Sequence, residues 1–549
     1  MERRELLKLS SMGLAAGVGG VARAAGVGGA VGPQAIYDVR TFGAVGDGKV
    51  VDSPAVNKAI EEVAAAGGGT LVFPAGVYVC FTIRLKSHVE LVLTQGCVIE
   101  AAASPGAKET TGYRGGVYDA AEADSPWVAF QDYGHNHWRN SLFYADGEHD
   151  FSVTGPGLIF GKGLSHGLGG SRGGYAGYKA EQAGVGNKTF GLKNCRNVLL
   201  RDFTVLKGGH FALLATGVDN LTIDHVTVDT DRDGFDIDCC RNVRVTNCTL
   251  NTPWDDAICP KSSYALGYQR ATENVTIANN YVTGTYELGS VVAGTWKKFA
   301  DDAVVNRQGR IKCGTESNGG FKNIAIMGNV MEGSKGIALE SSDGAQIEDV
   351  AITGNTMRDV VDCPLFLRLN RRNRGPKETM RAGCLRRVVI SDLVCHGADA
   401  STSSLFSGIA ENSIEDIKLS NCFIGHEGLP ARARVDWGQK TVPMPDWRGL
   451  KVKEMVDGYP EALQMGPTPS HGFFVRHVKG LEMSQVEIAP ANADPRPAFW
   501  LEDVTRADFF AVTAPVGENF SLHRVKDFRV GWSRAAKDAV IDSVEEKIL

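Results

Sequence analysis

A parallel β-helix, an all-β solenoid, is the fold this sequence predicts, and three observations predict it. Short apolar strands open on Asn or Asp at a recurring step, so that Asn220-Leu221 returns as Asn242-Val243, 22 residues on. The 66 glycines, with recurrent Val, Ile, Thr and Asn, point to many short strands joined by tight turns. One amphipathic helix near the start is followed only by strands. Strands repeated once per coil must run parallel to their copies in the next coil. A β-propeller blade needs about forty residues, roughly twice the step seen here. The 549 residues need no division into several cores, because a solenoid grows by adding coils.

Taken in order, the chain begins with Arg3-Arg4-Glu5-Leu6-Leu7-Lys8, a twin-arginine pattern. A weakly apolar Gly/Ala run follows and ends in Ala22-Arg23-Ala24, a small-residue cleavage pattern. Residues 1–24 are expected to be a twin-arginine signal peptide, 25–35 a linker, and 36–545 a single β-helix domain with 36–80 as its N-terminal cap. No other stretch approaches eighteen apolar residues, so no membrane span is expected. The mature chain is expected to be exported, periplasmic or extracellular, and monomeric.

The cap reads from Ile36 to Tyr78. Ser53 is suited to N-cap a helix with Pro54 at its first position. Val56, Ala59, Ile60 and Val63 then recur at helical spacing, and Gly67-Gly68-Gly69 ends the helix. Thr70-Leu71-Val72-Phe73 opens a strand. A helix placed there plugs the open end of a solenoid. The run GAVGDG lacks the Lys-Ser/Thr ending of a phosphate loop and is read as a turn.

Strand openings then recur at Asp150, Asn197, Asn220, Asn242, Asn274 and Asn323, and continue at Asp349, Arg387, Asp416, Gly480 and Asp503. A second set, Asn247, Asn279, Asn329, Asn355 and Asn421, is predicted to stack as a ladder of side-chain amides. Four segments break the period and are expected as surface loops walling one face: 101–139, 296–308, 370–383 and 425–470. The twelve cysteines fall mostly near strand ends without a Cys-x-x-Cys pair. They read as small buried core residues with one or two bridges, and not as a zinc site. The net charge of −6 argues against non-specific nucleic-acid binding.

Between Thr227 and Ser263 lies the stretch that carries chemistry. Asp233 and the pair Asp255-Asp256 are 22 and 23 residues apart, one coil's step. Adjacent strands lie about 4.8 Å apart, so the three carboxylates should form one cluster. Crowded carboxylates split their proton affinities, leaving one as acid and another as base at a single pH. Neighbouring strand residues face opposite sides. Asp255 and Asp256 therefore share a cleft only across a bend, and Pro253-Trp254 is the place for one.

These motifs resemble those of the polygalacturonase-type glycoside hydrolases, family 28. The family's Asn-Thr-Asp-Gly-Phe-Asp sequence is similar to Asp231-Arg232-Asp233-Gly234-Phe235-Asp236. Its Asp-Asp-Cys-Ile-Ala-Ile-Lys-Ser resembles Asp255-Asp256-Ala257-Ile258-Cys259-Pro260-Lys261-Ser262, and its Arg-Ile-Lys stands intact at Arg310-Ile311-Lys312. The Gly-His-Gly motif is absent, with Gly284 where the histidine would fall. The resemblance implies a right-handed helix and an inverting acid/base hydrolase of pectic, uronate-containing chains that needs no cofactor or metal. It implies Asp255 as general acid, with Asp233 and Asp256 holding the attacking water. It also implies Lys261 and His210 at the substrate, while Glu287 is either a partial substitute for the missing histidine or a plain surface residue.

Arg310 and Lys312 flank Ile311, so both project outward together and suit a uronate carboxylate. The alternative for them is ion pairing with Asp255 or Asp256. Arg368 opens an Arg-rich segment expected to greet an acidic chain end, and long insertions after the catalytic coils suggest cleavage from chain ends. Two other classes share the scaffold: a pectate lyase, which would need an acidic calcium site, and a non-catalytic polysaccharide-binding β-helix.

Overall fold

The structure, a computed structural model, describes residues 35–549 apart from 107, 168–175, 180–181 and 435–439. The expected signal peptide, and the linker up to residue 34, lie outside the described residues. The chain from Ile36 onward coils into one sheet of parallel strands, and the final pairing alone within it is antiparallel.

Each coil contributes three strands that stack on their copies. The first file includes Asp219–Asp224, Arg241–Thr246, Thr272–Ala278 and Phe321–Met327, and the second Thr227–Asp229, Thr249–Asn251 and Tyr281–Thr283. The third file positions the site. Its strands are β1 (Asp233–Asp238), β2 (Ile258–Lys261), β3 (Ile311–Cys313), β4 (Ile337–Ser341), β5 (Leu365–Leu369), β6 (Ser404–Ser407), β7 (Phe473–Pro490) and β8 (Phe499–Phe510). Register follows the sequence step, with Leu221 opposite Val243, Val228 opposite Leu250 and Phe235 opposite Ile258. Inward side chains, among them Leu221, Val243, Ile258 and Ile311, form one continuous apolar core. Burial of these files is the main favourable contribution to the fold.

The strand-opening asparagines adopt left-handed backbone, with φ of 55° at Asn220, 57° at Asn242 and 59° at Asn274. Asn tolerates that region better than other L-residues. Their amides form a ladder: Asn220 donates to Asn197 at 2.7 Å, Asn242 to Asn220 at 3.0 Å and Asn274 to Asn242 at 3.0 Å. The second ladder differs from expectation. Inside the coils Asn280, rather than Asn279, donates to Asn329, and Asn329 to Asn355, each at 2.9 Å. Asn247 and Asn421 instead donate to the outer carboxylates of Asp224 and Asp392. The strand-end turn is two residues wide, and only its second position points inward.

The N-terminal helix spans Ser53–Ala65 and buries Val56, Ala59, Ile60 and Val63 over the first coil. Asp52, not Ser53, precedes it, and the Asp52 carboxylate accepts from the backbone of Val45 and Gly46. At the other end the strand Ala539–Ile548 pairs antiparallel with Phe520–Gly531 and closes the last coil. No bridges form: all twelve cysteines are free, and all but Cys384 are buried. Among the described residues no helix is long and apolar enough to cross a membrane.

Candidate active site

The carboxylates meet at the turns leading from the second file into the third. Asp233 opens β1, while Asp255 and Asp256 occupy the turn before β2, with Pro253 and Trp254 turning the chain just ahead of them. Backbone bonds tie the two coils together, from Gly234 N to the Asp256 carbonyl at 3.0 Å and from Phe235 N to that of Ala257 at 2.9 Å. Carboxylate oxygens of Asp233 and Asp256 come within 4.8 Å of one another. Asp255 is the most accessible, its side chain 26% exposed against 5% for Asp233 and 1% for Asp256.

Their electrostatics are split. Burial, reinforced by Asp255 and Asp236, holds the Asp233 carboxyl well above the usual carboxylate range. Burial acts in the same direction on Asp256, but Arg310 and Lys312 outweigh it and hold that carboxyl below its ordinary value. Arg310 Nε lies 2.8 Å from Asp256 Oδ1 and Lys312 Nζ 2.5 Å from Oδ2, while Gln308 Nε2 donates to Oδ1 at 3.1 Å. Both cations are almost wholly buried. Ion pairing, the alternative reading of Arg310 and Lys312, is therefore the arrangement the structure shows, with Ile311 in the core between them.

Three further expected residues have partners of their own. His210 is fully buried beneath the 101–139 segment, its Nε2 3.0 Å from the Tyr133 carbonyl and its ring against Phe211. Glu287 is a partly exposed residue paired with Lys297 at 2.9 Å. Arg368 is a correction: it faces no cleft, and its guanidinium is spent on the carbonyls of Ser407, Gly408, Glu454 and Met455. Burial, together with Arg476, pushes Arg368 down to about 9. Lys261 does reach the cluster, 3.6 Å from Asp236 Oδ1, and is buried.

Other residues enter the site without having been anticipated. Arg232, between two motif residues, lies with Nη2 3.2 Å from Asp255 Oδ2 and 3.8 Å from Asp233 Oδ2. His135 comes from the first insertion and bridges Asp236, at 3.3 Å, and Glu316. Glu461 comes from the longest insertion and grips the Arg310 guanidinium with both oxygens, each contact 3.2 Å. Beside it the Tyr459 hydroxyl accepts from Thr315 at 3.0 Å. Motif spacing is blind to His135 and Glu461, since neither insertion follows the repeat. Arg232 carried a signal, as a cation replacing a neutral residue inside the motif.

Of three groups among the described residues that offer donor types a metal accepts, His88, His149 and Asp150 lie away from the motif, and two lie at the site: Asp233, Asp256 and Cys259, and Asp132, His135 and Glu316. Resident cations already serve both, Arg310 and Lys312 the first and Arg374, 2.6 Å from Asp132, the second.

Coils, cap and clustered carboxylates together define a right-handed parallel β-helix protein. Residues 36–116 match the family described as rhamnogalacturonase A/epimerase, pectate lyase-like. A probable polygalacturonase of Vitis vinifera is 26% identical over 320 residues, 54% of this chain, and the match spans 60% of that protein's length. In structure the chain is similar to a family 28 exopolygalacturonase of Yersinia enterocolitica, with a TM-score of 0.57 at 16% identity, covering 86% of this chain and 78% of that one. An exopolygalacturonase of Thermotoga maritima gives a TM-score of 0.54 at 17% identity, covering 72% and 88%. The chain is polygalacturonase-like in fold and, over about half its length, in sequence.

Proposed function

We propose that the chain is an exported inverting glycoside hydrolase that cleaves uronate-containing pectic polysaccharide or oligosaccharide. One observation carries this reading: three clustered carboxylates on adjacent coils have opposed environments, which raise Asp233 above the usual carboxylate range and lower Asp256 below it. Hydrolysis with inversion needs one carboxylic acid at the leaving oxygen and one carboxylate at the attacking water. Asp255, the accessible member, faces the leaving oxygen as acid. Asp256 is a fixed anion that orients the water, and Asp233 accepts the water's proton.

Asp233 and Asp255 flank one guanidinium nitrogen, so their protons belong to the pair. In the productive state the pair's single proton must sit on Asp255, leaving Asp233 ionised as base. Arg310 and Lys312 hold Asp256 ionised beside the pair.

Cleavage from chain ends is supported by the longest insertion, which returns over the catalytic coils at Tyr459 and Glu461. A cavity of about 460 Å³ is lined by Arg307, next to the Gln308 that meets Asp256, and by Asp399, Glu427 and Arg434 from later coils. A time course on polygalacturonate tests the whole reading. Monosaccharide should appear from the first minutes with little loss of viscosity and no unsaturated product. Ultraviolet absorbance of an unsaturated uronate would point to a lyase, early mixed oligosaccharides to mid-chain cutting, and no reducing ends to a binding protein.

A further inference from the structure

The mechanism above leaves Arg232 unused and one proton in the wrong place. Arg232 stands in the turn between Asp231 and Asp233, its side chain 15% exposed, over the two carboxylates that must exchange a proton. Its guanidinium is closer to Asp255, at 3.2 Å, than to Asp233, at 3.8 Å. Its Nε is buried and makes no hydrogen bond. The charged groups around it are Asp255, Asp233, Asp231 and Asp236, and Asp233 also faces Lys261.

A cation beside one of two paired carboxylates favours the negative charge there and leaves the proton on the other. Here that cation is Arg232, nearer Asp255 than Asp233, and Asp233 is the carboxyl that burial and its neighbours hold above the usual range. Catalysis by Asp255 as acid requires the reverse distribution. An anion from outside that competes for the guanidinium would deliver it, and a sugar carboxylate is such an anion, matching the planar fork of Arg in a bidentate pair.

We propose that Arg232 is the specificity-determining residue of this site, leaving Asp255 for the carboxylate of a bound uronate so that the pair's proton passes from Asp233 to Asp255. The step balances internally: the O–H bond on Asp233 breaks, one forms on Asp255, and the negative charge moves to Asp233, which becomes the base. A sugar without a carboxylate binds without drawing Arg232 away and leaves Asp255 ionised. The inference rests on the hydrolase reading and deepens it, since it makes recognition of a uronate the event that arms the acid.

Arg232→Met keeps the length of the side chain and removes its charge, and Arg232→Lys keeps the charge without the fork. Polygalacturonate and its methyl ester present the same chain with and without the anion. Wild type should favour the acid form, and Arg232→Met should lower kcat/KM on it by about 10–100-fold, the worth of a charge-assisted hydrogen bond, while raising it on the ester, where Arg232 no longer withholds the proton from Asp255. The bell-shaped pH profile of kcat/KM should move bodily to higher pH in Arg232→Met, because the pair then holds its protons more tightly. Arg232→Lys should restore the position of the profile but not the preference. Equal losses on both polymers, or an unmoved pH profile, would overturn the assignment. A wild-type protein that releases reducing ends from neither polymer would instead remove the hydrolase reading itself, and the inference with it.

Discussion

The outward face of the third strand file divides into two regions built on the same backbone. In the first, Asp236 lies opposite Cys259, and Lys312 and Arg310 close over Asp256. In the second, Ala338, Phe366, Leu405, Phe474 and Trp500 succeed one another in register along β4 to β8. The change occurs across one strand pair, since Lys312 lies directly opposite Ala338. One insertion serves both regions. Glu461 turns to Arg310, while Ala462 next to it packs with Val452 and Met465 over the apolar file. The β-helix thus leaves its outer face free to vary, because the inner core and the inter-coil backbone bonds are enough to stack the coils. Chemistry is set where the covering segment meets charges instead of apolar side chains.

If this division is right, the two regions should fail in different ways. Asp255→Asn in the charged region should lower kcat by roughly 10²–10⁴-fold, the worth of a placed acid, with the melting temperature unchanged. A folded variant retaining wild-type turnover would show that another group is the acid. Phe366→Ala in the apolar region should cost about 3–5 kcal/mol of stability, as deletion of a buried aromatic does, measured by chemical denaturation. Should Phe366→Ala leave stability intact and abolish turnover, the apolar file would be part of the site and the division false.

How far the sequence discloses this arrangement depends on the repeat. The 22-residue step places Leu221 on Val243 and brings Asp233 to Asp256, because register in a coil is a matter of counting. The burial of Val56, Ile60 and Val63 under the cap helix follows from helical periodicity in the same way. What counting misses is whatever arrives from an insertion. Glu461 meets Arg310 across 151 positions and His135 meets Glu316 across 181, separations unrelated to the coil. Arg368 misleads for the opposite reason: its place on β5 is regular, but the insertion lies over it and takes its guanidinium into backbone contacts. The paired cysteines suggested by a secretion pattern fail because most thiols, Cys240 and Cys248 among them, point into their own coils, where they pack as small apolar groups or bond nearby carbonyls.

Glu340 sits on the boundary between the two regions and offers the subtlest test of where it runs. It lies on β4, two residues past Ala338, is fully buried, and accepts from Thr315 Oγ1 at 3.0 Å. Burial pushes its carboxyl up to about 7 from an ordinary 4.5; Lys312 and Arg310 pull it down, and Glu461 and Asp256 add to the rise. A carboxyl whose folded value is raised contributes stability below its unfolded value and loses it as pH climbs through the folded value. The wild-type protein should therefore lose stability between about pH 4.5 and pH 7 on account of this group. Glu340→Gln is uncharged throughout and escapes that loss. Its melting temperature relative to wild type should rise from pH 5 to about pH 7 and level off above that in calorimetry. A difference that stays flat with pH would mean that the cations reach Glu340 fully, keep it ionised in the fold, and carry the charged region one strand further than drawn here.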